Sequence, residues 1–341
     1  MQTFDLSNHH TFGFEQIARS IVTVASAEQL KQLIVSRQLH NPIILGEGSN
    51  AIFLEDYDGD VLINRIMGRK LEDNADGVRL TLGAGENWDS AVAWLSQQGI
   101  GGLENLGLIP GCVGAAPVQN IGAYGVELSQ VLESLTFIDP NSGETHSLSK
   151  AECQLGYRDS VFKHQLKDKA WITELVLWLP KPWQPKLSYG PLKSLEDESD
   201  LSPLQVYREV CQIRQQKLPD PKVLGNAGSF FKNPVVSVEL YDHLRSLDSN
   251  LVGYPQHQGG IKLAAGYLID KLGLKGHLQG KVGVHQHQAL VLVNHGGGKP
   301  QDLVALANHI QQRVFEVYQV KLQPEVRIFG SNGEVEISRY G

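Results

Sequence analysis

Three side chains stand in runs that suit them for chemistry on a carbonyl or carboxylate compound. Arg158 follows Tyr157 in GYRDSVFK. Its guanidinium is a permanent planar charge that matches a carboxylate fork, although an arbitrary arginine more often serves a surface ion pair. Ser229 lies in GNAGSFFKNP, with glycines at 225 and 228 and two phenylalanines after it. The strained G-x-S-x-G elbow of a hydrolase nucleophile is missing. A serine in such a run more often bonds its own turn. A serine of ordinary acidity donates a proton only to a strongly basic centre, such as the carbon of an enolate. Glu325 follows Pro324 near the end of the chain. One carboxyl on a strand usually faces solvent. Beside an arginine and a carboxylate ligand, it could stay protonated and hydrogen-bond a developing enol.

Other clusters carry less. His285 and His287 sit two apart in VGVHQHQALVLVN, read as one strand, and so share a face, but a third metal ligand is missing. The three cysteines, Cys112, Cys153 and Cys211, show no C-x-x-C spacing. That speaks against a disulfide framework or zinc site and suits a reducing cytosol. GGGKP at 296–300 is not a phosphate loop: Val293 stands where the first glycine belongs, and Pro300 replaces the Ser/Thr.

The stretch that must position this chemistry is NLGLIPGCVGAAPVQNIGAYG, Asn105 to Gly125. It holds five glycines, two prolines and almost no charge. Small residues let backbone come close to a partner, and consecutive N–H groups in a tight turn make an anion nest. Such a run suits a loop laid along a bulky phosphorylated cofactor. The alternative is a buried crossing of two backbones. Upstream, PIILGEGSNAIFL reads as strand, glycine turn, strand. The turn lacks the third glycine of G-x-G-x-x-G and leads into a strand, which argues against a dinucleotide Rossmann site, yet its N–H groups and Ser49 suit a pyrophosphate.

Around these loops, a capping box at Ser26–Gln29 opens a helix through AEQLKQLIVSRQLH, and Asn41-Pro42 stops it. Asn87 caps a helix over 88–98 ended by Gly99. SLTFIDPNSGETHSL reads as a hairpin and AWITELVLWLP as a strand. Residues 180–203 are rich in proline and charge and read as a linker or surface loop, with Tyr189 standing beside Gly190-Pro191. Pro203 opens a helix to about Gln216. IKLAAGYLIDKLG and residues 301–320 read as further helices, and PEVRIFG and GEVEIS as final strands. Many short strands with few helices predict an α+β fold.

The runs PGCVGAAPVQNIGAYG, GEGSN, YRDSVFK, GNAGSFFKNP and QPEVRIFG, in that spatial economy of small residues, resemble the UDP-N-acetylenolpyruvoylglucosamine reductase (MurB) family. The resemblance is collinear over most of the chain, and the Tyr189 segment resembles its longer, type I branch. It implies an α+β fold with an FAD-binding domain of the vanillyl-alcohol-oxidase (PCMH) type and a smaller α+β substrate-binding domain. The implied boundaries are 1–200 for the FAD region, 201–320 for the substrate domain and 321–341 for strands returning to the active site. It further implies non-covalent FAD held at Gly46, Gly48, Ser49, Asn50, Pro110, Gly111, Gly114, Ala115, Pro117, Ile121 and Gly122. Arg158, Ser229 and Glu325 would be catalytic. Tyr157, Tyr189, Lys217, Asn233, Tyr254, Lys275 and Gln288 would bind the nucleotide sugar. NADPH would be the co-substrate, and the reaction would reduce UDP-N-acetylglucosamine enolpyruvate to UDP-N-acetylmuramate for peptidoglycan.

The bounds agree with this picture. With 341 residues the chain can bury more than one core, and its net charge of −7 argues against a general nucleic-acid or anionic-membrane surface. The N-terminal MQTFDLSNHHTFGFEQ lacks the pattern of a secretory signal, and no apolar run is long enough to span a membrane. A cytoplasmic monomer is expected. Two rivals remain at this point. A flavin alcohol oxidase would not need Ser229 or Glu325 in these motifs. A non-catalytic nucleotide-sugar binder would be favoured by loss of the trio, and all three residues are present.

Overall fold

The structure, a computed structural model, describes residues 4–256 and 259–340. It divides into two compact units with an interleaved chain. One comprises Met1–Ala18, Gly48–Asp58 and Lys217–Gly341; the other comprises Arg19–Glu47 and Gly59–Gln216.

The second unit is built on a five-stranded antiparallel sheet in the order 145–149, 132–138, 171–180, 77–83, 69–73. The 132–138/145–149 hairpin is as expected from its Asn-Ser-Gly turn. Leu80, Leu82, Leu135, Leu175 and Leu177 point from this sheet into a core shared with Trp88, Val92 and Leu95. Those last three lie on one face of helix α2, Trp88–Gln97, whose N-cap Asn87 accepts from Ser90 N. Helix α1, Ala27–Val35, starts at Ser26 as predicted but ends well before Asn41. Ser36 Oγ bonds back to Leu33 O and Arg37 takes a positive φ, so the polar SRQ run closes the helix. Ile43–Leu45 pairs in parallel with Val61–Ile63. Helix α3, Pro203–Lys217, buries Val206, Val210 and Ile213 against Leu187 and Leu192.

The first unit contains a sheet of 225–229, 291–294, 282–284 and 278–279, and a smaller one of 235–236, 261–263 and 253–255. Residues 327–330 run parallel to 51–53. Helices α4, Val238–Leu247, α5, Ala265–Lys271, and α6, Pro300–Tyr318, pack on one core that includes Phe12, Phe14, Phe230 and Phe231.

Two expectations are corrected here. The run from Ile261 is not one helix. Ile261–Leu263 is a central strand paired on both sides, and Asn233 Oδ1 accepts from Ala265 N to start α5 behind it. The run 282–294 is not one strand either. Val282–Val284 and Val291–Asn294 form an antiparallel hairpin, and the polar HQHQ segment is its turn, closed by His285 N→Val291 O and Val291 N→Gln288 O. His285 and His287 are therefore turn residues, with ring centroids 5.7 Å apart. Among the described residues no group of side chains is arranged to hold a metal.

Candidate active site

Ser229 ends the strand Gly225–Ser229. The backbone is bent just before it, where Gly228 takes φ +72° with open space on its Cα. That conformation is cheap only for glycine. Gly228 N bonds the Oδ1 of buried Asn226, whose Nδ2 donates to Pro219 O and Leu224 O. The carbonyl after Ser229 then meets the segment of Glu325, just before the strand Arg327–Gly330: Glu325 N donates to Phe230 O at 2.7 Å, and Lys232 N to Gln323 O. Ser229 and Glu325 thus lie on directly bonded backbone segments of the same unit. Asn50 joins them, with Nδ2 at 3.4 Å from Glu325 O and its own carbonyl accepting from Arg327 N.

In the other unit, Arg158 has φ +53°, the left-handed region that is uncommon for a residue other than glycine. The turn is fixed by mutual Gly156–Asp159 backbone bonds and by Lys163 Nζ→Arg158 O. Its Nη2 donates to Gly122 O at 3.1 Å, and the guanidinium sits 5.7 Å from the Tyr157 ring. So three of the predicted residues, Tyr157, Arg158 and Gly122, come together. Fully buried Asn120, with φ +44°, ties the arrangement by donating to Glu127 Oε2 and Gly156 O and accepting from Ser129 N.

In the Asn105–Gly125 stretch, Gly114 meets the backbone-crossing reading. A Cβ on Gly114 would stand 2.7 Å from Ala84 Cβ, so that glycine serves a backbone crossing inside the protein. The amides of the turn are also used internally. Gly111 N donates to Glu47 Oε2, Val113 N to Glu86 O, Gly114 N to Ala84 O and Ala115 N to Cys112 O. The expected anion nest is therefore not formed by these four N–H groups. Pro117 and Ile121 are buried, Ala115 is exposed, and Pro110 opens the turn. In GEGSN, a Cβ on Gly46 would fall 2.0 Å from Cys112 Sγ, and one on Gly48 the same distance from His9 O.

Tyr189 is about half exposed and packs edge-on against Tyr124, centroids 5.6 Å apart. Its segment is not a bare linker. Leu187 and Leu192 are buried, Trp183 Nε1 donates to buried Glu104, and Asn105 Nδ2 bridges Tyr124 O and Lys186 O at 2.9 and 2.8 Å. Lys217 ends α3 exposed. Asn233 caps α5, Tyr254 is exposed on the strand Gly253–Pro255, Lys275 pairs with Asp270 at 2.7 Å, and Gln288 lies in the hairpin turn.

Residues 220–329 match the UDP-N-acetylenolpyruvoylglucosamine reductase C-terminal domain, and residues 18–149 match an FAD binding domain. A UDP-N-acetylenolpyruvoylglucosamine reductase of Vibrio cholerae is 48% identical over 338 residues, covering 98% of this chain and 96% of that protein. One from Escherichia coli K12 is 49% identical over 328 residues, covering 96% of each. The chain belongs to the UDP-N-acetylenolpyruvoylglucosamine reductase family. The solved reductase of Thermus caldophilus, 24% identical, has the same fold, with a TM-score of 0.65 over 96% of this chain and 98% of that one. This reductase is accordingly an α+β FAD oxidoreductase. Among its described residues no helix is long and apolar enough to cross a membrane.

The residues present fit such a cofactor. Beside Gly48, whose carbonyl accepts from Thr11 N, Thr11 Oγ1 and His10 Nδ1 are buried without hydrogen-bond partners. Buried polar atoms left so are costly unless a bound group completes them. His10 and Thr11 escaped the sequence reading, because one His-Thr pair in an N-terminal run carries no spacing signal. Asn120, Asn105 and Glu47 escaped it too, since a single Asn or Glu in a loop looks like any turn residue. Their shared signal was placement within or just before the small-residue runs.

Proposed function

We propose that this reductase converts UDP-N-acetylglucosamine enolpyruvate to UDP-N-acetylmuramate with NADPH, in the cytoplasm and as a monomer, and that Arg158, Ser229 and Glu325 carry the reduction. The observation that supports this most is the 2.7 Å bond from Glu325 N to Phe230 O, which sets a proton donor and an acid on adjoining backbone. FAD, when bound, supplies the hydride that adds to C3 of the enolpyruvyl group. That addition leaves negative charge on C2 and the carboxylate. Arg158 compensates the carboxylate with a planar charged fork, and protonated Glu325 hydrogen-bonds the enol oxygen. Ser229 Oγ–H then gives its proton to C2, a transfer that an enolate carbon makes feasible for a serine.

Gly46, Gly48, Ser49 and Asn50, with the run from Pro110 to Gly122, would hold the flavin. Tyr157, Tyr189, Lys217, Asn233, Tyr254, Lys275 and Gln288 would hold the nucleotide sugar. Lysines suit a pyrophosphate as point charges, and Asn and Gln side chains can read a uracil edge. In this reading residues 1–200 chiefly serve the flavin, 201–320 the nucleotide sugar, and 321–341 return Glu325.

Rapid mixing separates the two halves. Ser229→Ala should leave flavin bleaching by NADPH near parental and slow reoxidation by the enolpyruvyl substrate about 10²–10⁴-fold. Reoxidation at the parental rate would return Ser229 to a structural turn role.

A further inference from the structure

Arg214 stands in the last turns of α3. The side chain is largely buried, and its Nε has no hydrogen-bond partner. Among the described residues it forms no ion pair with a carboxylate. Its neighbours are the Tyr124 hydroxyl, which it hydrogen-bonds, the Cys211 thiol one turn back, Asp89, and Arg158. Asp89 is already engaged: its Oδ1 accepts from Leu108 N at 2.6 Å and from the Tyr207 hydroxyl at 3.0 Å. Burial and the like charge of Arg158 both hold the Arg214 pKa below its ordinary value, burial the more strongly. A desolvated guanidinium that also feels the charge of a second one is stabilised by an anion brought to it. The Tyr124 end of the cluster packs against half-exposed Tyr189.

We propose that Arg214 is a second anion-binding residue of the substrate site: with Arg158 and the Tyr124 hydroxyl it receives an oxyanion of the ligand, a carboxylate or a phosphate. This deepens the assignment of Arg158 made above and rests on it. Two guanidinium groups and a phenol can supply several converging donors to one oxyanion, which a single arginine whose Nη2 is committed to Gly122 O cannot. Arg214 lies on a rigid helix, whereas Arg158 lies in a strained turn, so Arg214 also fixes where the anion rests. Tyr124 carries no charge at neutral pH, because burial raises its pKa, and its hydroxyl remains a donor.

The test uses FAD-loaded enzyme carrying Arg214→Gln, Arg214→Lys or Arg158→Gln. Affinity is read from perturbation of the flavin spectrum by the enolpyruvyl substrate and by UDP-N-acetylglucosamine, which keeps the pyrophosphate but lacks the carboxylate. NADPH affinity is read from the concentration dependence of flavin bleaching. Loss of a charged, buried hydrogen-bond donor predicts that Arg214→Gln weakens at least one ligand about 10–100-fold, and that Arg214→Lys retains part of the loss because charge survives without the fork. Weakening confined to the enolpyruvyl substrate assigns the carboxylate. Weakening of both nucleotide sugars assigns their pyrophosphate, and weakening of NADPH alone assigns a dinucleotide phosphate. All three ligands within twofold of parental in Arg214→Gln or, should that variant not fold, in Arg214→Lys would overturn the proposal. Parental affinities in Arg158→Gln together with weakened Arg214→Gln would instead overturn the Arg158 assignment, and with it the shared site proposed here.

Discussion

Replacing Asn105 with leucine removes the one side chain that donates to both Tyr124 O and Lys186 O, at 2.9 and 2.8 Å, while keeping the branched outline of the side chain. Asn105 is 1% exposed, so water cannot take over either carbonyl without opening the site. Each buried acceptor left bare costs about 1–3 kcal/mol. The loss of Oδ1 adds nothing, because that atom has no partner. The expected destabilisation is thus about 2–6 kcal/mol, which for a unit of this size lowers its melting temperature by about 4–24 °C. Asn105→Asp should be worse at neutral pH, since a carboxylate would face two carbonyl oxygens and donate to neither. Differential scanning of both variants reads the shift directly. A fall below about 2 °C in both would refute the bridge as a structural clamp. A second readout is local: trypsin should cut after Lys186 faster in Asn105→Leu than in the parent, because that carbonyl anchors the segment.

Further outcomes follow from other sites. Within the same segment, cleavage after Lys193 should slow when nucleotide sugar is bound, while Lys186, anchored at its base, is protected with or without it; mass spectrometry of timed digests separates the two. Gly46→Ala places a methyl 2.0 Å from Cys112 Sγ and should cost about 1–3 kcal/mol. Cys112→Ala should recover part of that cost in the double variant, and strict additivity in urea titrations would refute the contact. Burial lowers His10 to about pKa 4 in the folded chain. The unfolded chain therefore takes up the proton first as pH falls below about 6.5, and stability is lost between there and pH 4, by about 2 kcal/mol at pH 5. His10→Gln should flatten that part of the stability–pH curve, and an unchanged slope would assign it to other groups.

Elements with local signals were legible from the chain itself. Ser26, Asn87 and Pro203 open helices α1, α2 and α3 because capping is decided within four residues. The 132–149 hairpin was legible because its turn and alternation agree. The helix read at Ile261 and the single strand read at 282–294 failed for the opposite reason. The three residues Ile261–Leu263 are too few to show a period, and pairing with distant 235–236 and 253–255 decided for strand. The glycines of 105–125 were legible as crowding, but not their partner: Ala84, which requires Gly114, lies thirty residues upstream on another turn. Arg158, Ser229 and Glu325 were singled out by motif, whereas Arg214 and Tyr124 were not. A buried cation is recognisable only once its neighbours are assembled around it.

The interleaving of the chain also sets an order of events during synthesis. Phe12 O accepts from Asn294 Nδ2, 282 residues later, and Thr11 O from Asn226 N. Phe12 and Phe14, both buried in the core with Phe230 and Leu268, have nothing to pack on until those residues leave the ribosome. At about 5–20 residues per second that wait is about 10–60 s. The unit holding Arg158 ends at Gln216, so its residues are all made first. A chain released at residue 216 should therefore carry a protease-resistant 19–216 body behind an exposed aromatic N-terminal segment, a species with the surface that holding chaperones bind.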